Sequence, residues 1–162
     1  MIKKRERVFR FKLPYPIQEV VKVPAEITQR LQIGYKESNG QITVNDNDAL
    51  MITGDENIVA ADAVVEWKVS SLEKYLYNIE NPEKFLDNAA KSAIRSVIGS
   101  TKLDYAITDG KTEVQMKVKE KLEELNELYD TGIFISDIKF QDIEPPQGDV
   151  QQAFREVTNA RE

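Results

Sequence analysis

Between residues 48 and 69 the apolar positions fall into two runs separated by a turn cluster. The first run covers residues 49–53, and Gly54, Asp55, Glu56 and Asn57 follow it. From Ile58 to Val69 the pattern then alternates with period two: Val59, Ala61, Ala63, Val65, Trp67 and Val69 share one side of a pleat. Asp62, Glu66 and Lys68 point the other way, with Ile58, Ala60 and Val64 among them. This predicts a β-hairpin with one core face and one mostly wet face.

Upstream, Phe9, Phe11 and Leu13 alternate with Arg10 and Lys12, a short strand that Pro14-Tyr15-Pro16 must end, since proline cannot donate to a ladder. Further strands are predicted over residues 17–23, closed by Pro24, and over residues 27–35, with Ile27, Leu31, Ile33 and Tyr35 on one face. Residues 36–48 are mostly polar, hold a tight-turn sequence at Ser38-Asn39-Gly40, and leave room for a short edge strand at Ile42 and Val44. The segment reads as a mobile loop.

After the hairpin the period changes from two to about 3.6. A short helix is predicted over residues 71–77. Asn81-Pro82-Glu83 then opens a second: a cap side chain, a proline where no N–H is needed, and an acid at the positive end of the dipole. Leu86, Ala90, Ala93 and Val97 form its stripe, flanked by Phe85, Ala89 and Ile94, and Gly99 stops it. The small alanines predict close packing on the sheet. A third helix is predicted over residues 109–130, with Val114, Val118, Leu122, Leu125 and Tyr129 inward and Gly132 as its end.

Residues 133–143 return to strand before Pro145-Pro146, and Val150, Phe154, Val157 and Arg161 then open an amphipathic helix at coiled-coil spacing. The expected architecture is α+β: an antiparallel or mixed sheet with helices packed on one face, followed by the start of a long C-terminal helix. Three parts are expected: a basic segment at 1–16, a folded domain at 17–144 and the helix start at 145–162.

At 162 residues the chain fits a single core. Its formal charge of -6 repels phosphate backbones, so no nucleic-acid partner is expected. The one basic cluster, Lys3, Lys4, Arg5, Arg7, Arg10 and Lys12, would be drawn to anionic headgroups beside a membrane by roughly 1 kcal/mol per charge; the bland alternative is a solvated terminus. No run approaches the roughly 20 apolar residues that span a bilayer, so the sequence reads as a soluble piece.

Cysteine and histidine are both absent, which removes thiol nucleophiles, disulfides, imidazole bases, and thiolate or imidazole metal sites. No cofactor or metal is called for. Asp55 and Glu56 could suggest acid–base or cation chemistry, yet at a hairpin tip they favour the turn and stay in water. Asp62 and Glu66, some 13 Å apart along one strand face, are too distant to share a proton. Trp67 reads as core packing. Lys91, Arg95 and Lys102 lack the glycine-rich loop of a phosphate cradle. Ser92, Ser96 and Ser136 have no histidine, so a hydrolytic dyad would need a lysine.

The string Leu50-Met51-Ile52-Thr53-Gly54-Asp55-Glu56-Asn57-Ile58-Val59 resembles the hallmark of the stomatin/prohibitin/flotillin/HflK (SPFH, or band 7) family, and within it the HflK branch. Phe11 through Ile17, Leu76-Tyr77-Asn78-Ile79 with Pro82, and Ala93-Ile94-Arg95 with Val97-Ile98-Gly99 fit the same family. So does the junction from Gln141-Asp142-Ile143-Glu144-Pro145-Pro146 through Val150, Phe154, Val157 and Arg161, where such domains pass into a coiled-coil helix. The resemblance covers about residues 11–162.

It implies a non-enzymatic membrane scaffold. Members of this branch carry a membrane helix just upstream, so Met1 would begin a piece of a single-pass protein whose domain lies outside the cytoplasm. By the positive-inside rule, six basic residues beside that helix argue for the opposite side. The implied partners are copies of the chain, a sister subunit of the HflC kind in a large ring, membrane lipids, and the ATP-dependent protease FtsH, whose access to substrates the ring limits. A stomatin-like scaffold with another client is the alternative, and a serine–lysine or carboxylate-pair hydrolase is the reading from a different class. With its coiled coil cut short, the isolated chain is expected to associate weakly.

Overall fold

The structure, a computed structural model, describes Val23 and residues 27–38, 41–44, 46–108 and 110–144. The strand predictions over 9–13 and 17–23, the basic cluster and the C-terminal helix of Val150, Phe154, Val157 and Arg161 lie outside the described residues, apart from Val23 itself.

The hairpin is the axis of the fold. Its long arm, β5 (Ile58–Val69), carries the strict alternation that the sequence shows, and Val59, Ala61, Ala63, Val65, Trp67 and Val69 are all buried. β4 (Leu50–Ile52) and β1 (Gln29–Ile33) pair antiparallel along one side of β5, setting Leu50 opposite Ala60 and Leu31 opposite Val65. β6 (Ile133–Glu144) runs antiparallel along its other side from Ala60 to Val69. The sheet has four strands, all antiparallel.

Gly34 ends β1 where the sequence predicts one continuous strand through Tyr35. Its φ of 88° is a left-handed value that side chains rarely adopt, and it turns the chain out of the main sheet. β2 (Tyr35–Ser38) and β3 (Gln41–Val44) then form a separate two-stranded sheet, so the segment read as a polar loop is a hairpin. Ile27, expected on the core face, is 64% exposed because it precedes the paired residues. A single helical turn, α1 (Asp46–Ala49), shortens the first arm of the central hairpin to three residues.

The helices cover one face of the sheet. α2 (Leu72–Tyr77) begins at Ser71, and its Tyr75 ring stacks on Trp67 with centroids 6.1 Å apart. α3 (Pro82–Ile98) starts as its sequence signal predicts: Asn81 Oδ1 accepts the Lys84 N–H at 3.0 Å and Pro82 occupies the first turn. Its alanines, Ala89, Ala90 and Ala93, are buried together with Leu86, Ile94, Val97 and Ile98. Truncating a residue such as Ile98 to alanine would cost about 2–5 kcal/mol through lost burial and the cavity left behind.

α4 (Leu103–Ile107) is a five-residue helix with no counterpart in the sequence reading, and α5 (Lys111–Leu128) begins two residues later than predicted. Val114, Val118 and Leu122 face the core, but Tyr129 lies past the helix end, 54% exposed, and tilts against Phe85 at 5.0 Å. Asn126 takes the buried place instead. Its amide donates to the Leu122 carbonyl at 2.9 Å while its Oδ1 accepts the Thr131 hydroxyl at 2.7 Å, which leaves the pair satisfied inside the core. No helix among the described residues is long and apolar enough to cross a membrane.

Candidate functional site

The hallmark string folds into a hairpin tip that is docked onto the helical layer. Thr53, buried beside β4, organises it: its hydroxyl donates to Asp55 Oδ1 at 2.6 Å and accepts the Asn57 N–H at 3.1 Å. The Thr53 and Glu56 N–H groups close the turn on the Asn57 and Thr53 carbonyls, at 2.9 and 3.1 Å. Glu56 adopts a left-handed φ of 65° to make this possible.

The tip then reaches 48 residues ahead. Asp55 Oδ1 accepts the Leu103 N–H at 3.0 Å, capping α4, which has no side-chain cap of its own. Gly54 donates to the Thr101 carbonyl at 2.8 Å. A Cβ at Gly54 would stand 3.1 Å from the Gly99 carbonyl oxygen and 3.2 Å from the Ser100 carbonyl carbon, so a side chain here would push the two backbones apart by a few tenths of an ångström. By sequence Asp55 is a turn former that stays in water. The structure keeps it exposed but makes it a clasp between hairpin and helices. The Thr53 hydroxyl, then the Leu103 N–H and the Asn57 side chain, hold its carboxyl below the ordinary carboxylate range.

A second carboxylate of the hairpin is in the opposite condition. Asp62 sits on the outer face of β5, directly opposite Asp142 of β6. Its Oδ1 is buried with no hydrogen-bond partner among the described residues, and a Cβ on Gly34 would collide with it. Burial first, and then the Asp142 charge, push the Asp62 carboxyl above its ordinary range. Glu66, the other acid on that strand face, pairs instead with Arg30 at 3.2 Å. Two like charges do not make a cation site here, and among the described residues no group of three acidic ligands could hold a metal.

Lys91, Lys119 and Lys74 are committed as well. Lys91 bridges Asp87 at 2.9 Å and Asp48 at 3.0 Å beside a small cavity of about 260 Å³ that Gly34 and Tyr35 also line. Burial alone pulls its ammonium down, yet hydrogen bonds and charge from Asp87 and Asp48 more than offset this, so it titrates above the ordinary lysine range and stays protonated. Such a lysine is a poor general base. Ser92 and Ser96 are exposed on α3, and Lys119 gives its donor to the Ser136 carbonyl at 3.1 Å. A groove of about 380 Å³ between α2, the end of α5 and the start of β6 contains Lys74, but that ammonium is paired with Asp130 at 2.6 Å.

What these features define is an α+β domain whose most distinctive string is used to hold its own layers together. The sequence matches the SPFH domain / Band 7 family over residues 7–162, and the chain belongs to that family. It is 39% identical over 113 residues to the "Modulator of FtsH protease HflK" of Escherichia coli K12, covering 70% of this chain and 27% of the relative. Against the "Protein HflK" of Borreliella burgdorferi it is 30% identical over 147 residues, 89% of this chain and 47% of the relative. The corresponding Vibrio parahaemolyticus protein is 37% identical over 113 residues. The chain therefore spans between about a quarter and a half of the length of these relatives.

Proposed function

We propose that this chain is the SPFH domain of an HflK-like membrane scaffold that modulates an FtsH-type, ATP-dependent membrane protease and catalyses nothing itself. The observation that carries the reading is its similarity to HflK proteins, one of them named for modulating FtsH. A scaffold is supported in a second way: Asp55 and Lys91, both shifted, are engaged in holding elements together, and the shifted Asp62 faces another carboxylate in place of a base.

On this reading residues 1–16 lie next to a membrane, with Lys3, Lys4, Arg5, Arg7, Arg10 and Lys12 against lipid headgroups. Residues 17–144 form the domain, and residues 145–162 open a coiled-coil helix in which Val150, Phe154, Val157 and Arg161 face copies of the chain or an HflC-like sister subunit. The domain stands outside the cytoplasm, and its effect on proteolysis comes from enclosure within a ring.

Crosslinking the full-length protein in its own membranes, followed by identification of the adducts, tests this. Adducts with an FtsH-type protease and with a sister subunit are expected. A repertoire made up of channels or other proteases would favour a stomatin-like scaffold with a different client.

A further inference from the structure

β6 is an edge strand. Among the described residues it pairs only with β5, so residues 133–143 have no second strand beside them there, and such an edge is a ready template for another strand. The register against β5 slips twice. Asp62 faces Asp142 while Ala63 faces Phe140, and Glu66 faces Asp137 while Trp67 faces Ile135. The extra residues are Gln141 and Ser136, both on β6, each a bulge that leaves its backbone out of the regular ladder.

These bulges are served from α5. The Lys111 Nζ donates to the Gln141 carbonyl at 3.4 Å, and the Lys119 Nζ to the Ser136 carbonyl at 3.1 Å. Between them Gln115 donates to the Ile138 carbonyl at 3.4 Å. Positions 111, 115 and 119 are spaced by four, so they lie along one line of the helix, half-buried beside the Val114, Val118 and Leu122 stripe. The Ile138 N–H is occupied too, by the Asp137 carboxylate at 2.9 Å. Holding long lysine side chains across a strand in this way costs about 2 kcal/mol of rotamer freedom each. Solvent could satisfy the same carbonyls without that cost, so satisfaction of the backbone alone does not account for the stripe.

We infer that Lys111, Gln115 and Lys119 form a strap that keeps β6 from pairing edge to edge with a second copy of this chain. This edge is complementary to itself: Asp137 and Lys139 are bridged at 3.1 Å within one copy, and antiparallel pairing about a two-fold axis at Ile138 sets each of them across from the opposite charge of the other copy. Association of copies through the sheet edge is thereby closed off, and whatever contacts the chain makes with its own kind run through other surfaces. The inference rests on the register and the three contacts, independently of the function proposed above.

The test replaces the three donors by methionine, which keeps length and helix propensity, in the 162-residue chain (K111M/Q115M/K119M), and follows mass by light scattering and amide exchange at rising concentration. The strap predicts a dimer and at least about tenfold slower exchange of the β6 amides around Ile138 as it forms. Adding Asp137→Lys should dissolve that dimer, and K111R/K119R, which keeps cationic donors of at least the same reach, should remain monomeric. A variant that melts cooperatively and stays monomeric, or associates with β6 exchange unchanged, overturns the inference. If the triple variant does not fold, K119M alone carries the test. Faster exchange at Ser136 to Ile138 when dilute, and slower when concentrated, is then expected, and wild-type exchange in both conditions overturns it.

Discussion

Asp55 and Asp62 stand on the same hairpin, seven residues apart, and the fold treats them in opposite ways. Asp55 at the tip has a hydroxyl and a distant N–H aimed at it, so ionisation is favoured and its charge ties β4 and β5 to α4. Asp62 in the middle of the strand has an unpartnered buried oxygen and another carboxylate across from it, so ionisation is disfavoured. The contrast teaches that an acidic residue in a hallmark string is not a sign of chemistry. Its partners decide whether it holds the structure together or strains it.

The largest effect is expected from Gly34→Ala, which forces a side chain into left-handed backbone and into the Asp62 carboxylate. Urea unfolding should show a loss of roughly 2–4 kcal/mol, partly restored in the double variant with Asp62→Ala if contact with that oxygen is the cause. Asp55→Ala should cost about 0.5–1 kcal/mol, the low end of cap losses because water already competes for this exposed group. Amide exchange at Leu103 should rise with it. Asp62→Asn should go the other way and stabilise by a few tenths of a kcal/mol up to about 1 kcal/mol, by removing a like charge directly opposite Asp142.

The smallest effect is in the pH dependence, where the two groups have opposite signs. Asp55, lowered in the folded chain, contributes stability that is present above the ordinary carboxylate range and disappears as pH falls through its folded value. Asp62, raised in the folded chain, destabilises wherever it is ionised, and the penalty fades as pH falls through its folded value toward the ordinary range. Mild acidification should therefore stabilise the wild type slightly more than Asp62→Asn, and stronger acidification should destabilise it more than Asp55→Asn. Unfolding midpoints of the three proteins across the acid range check both signs.

Much of the frame was legible because it follows from periodicity and local chemistry. The alternation from Ile58 to Val69, the Asn81-Pro82-Glu83 start of α3 and the Val114, Val118, Leu122 stripe of α5 each reflect neighbours within one element. What escaped depends on partners far away in the chain. Asp55 looked like a solvated turn residue because nothing nearby announces the Leu103 N–H, and α4 was missed because its cap comes from that same aspartate. Gly34 sits inside an apparently continuous strand pattern, where only the register against β5 reveals that the strand must end. The Asp62 and Asp142 opposition and the β6 bulges likewise exist only once two strands are paired.

The central claim is that the hallmark tip serves as a structural clasp and not as an acid–base or cation site. Urea unfolding at neutral pH of Asp55→Ala, which removes the acceptor of the Thr53 and Leu103 bonds, beside Asp62→Asn, which removes the other charge of the same hairpin, tests it most directly. The clasp predicts that the first loses stability and the second gains it. Equal shifts in both, or an unchanged midpoint for Asp55→Ala, would contradict it.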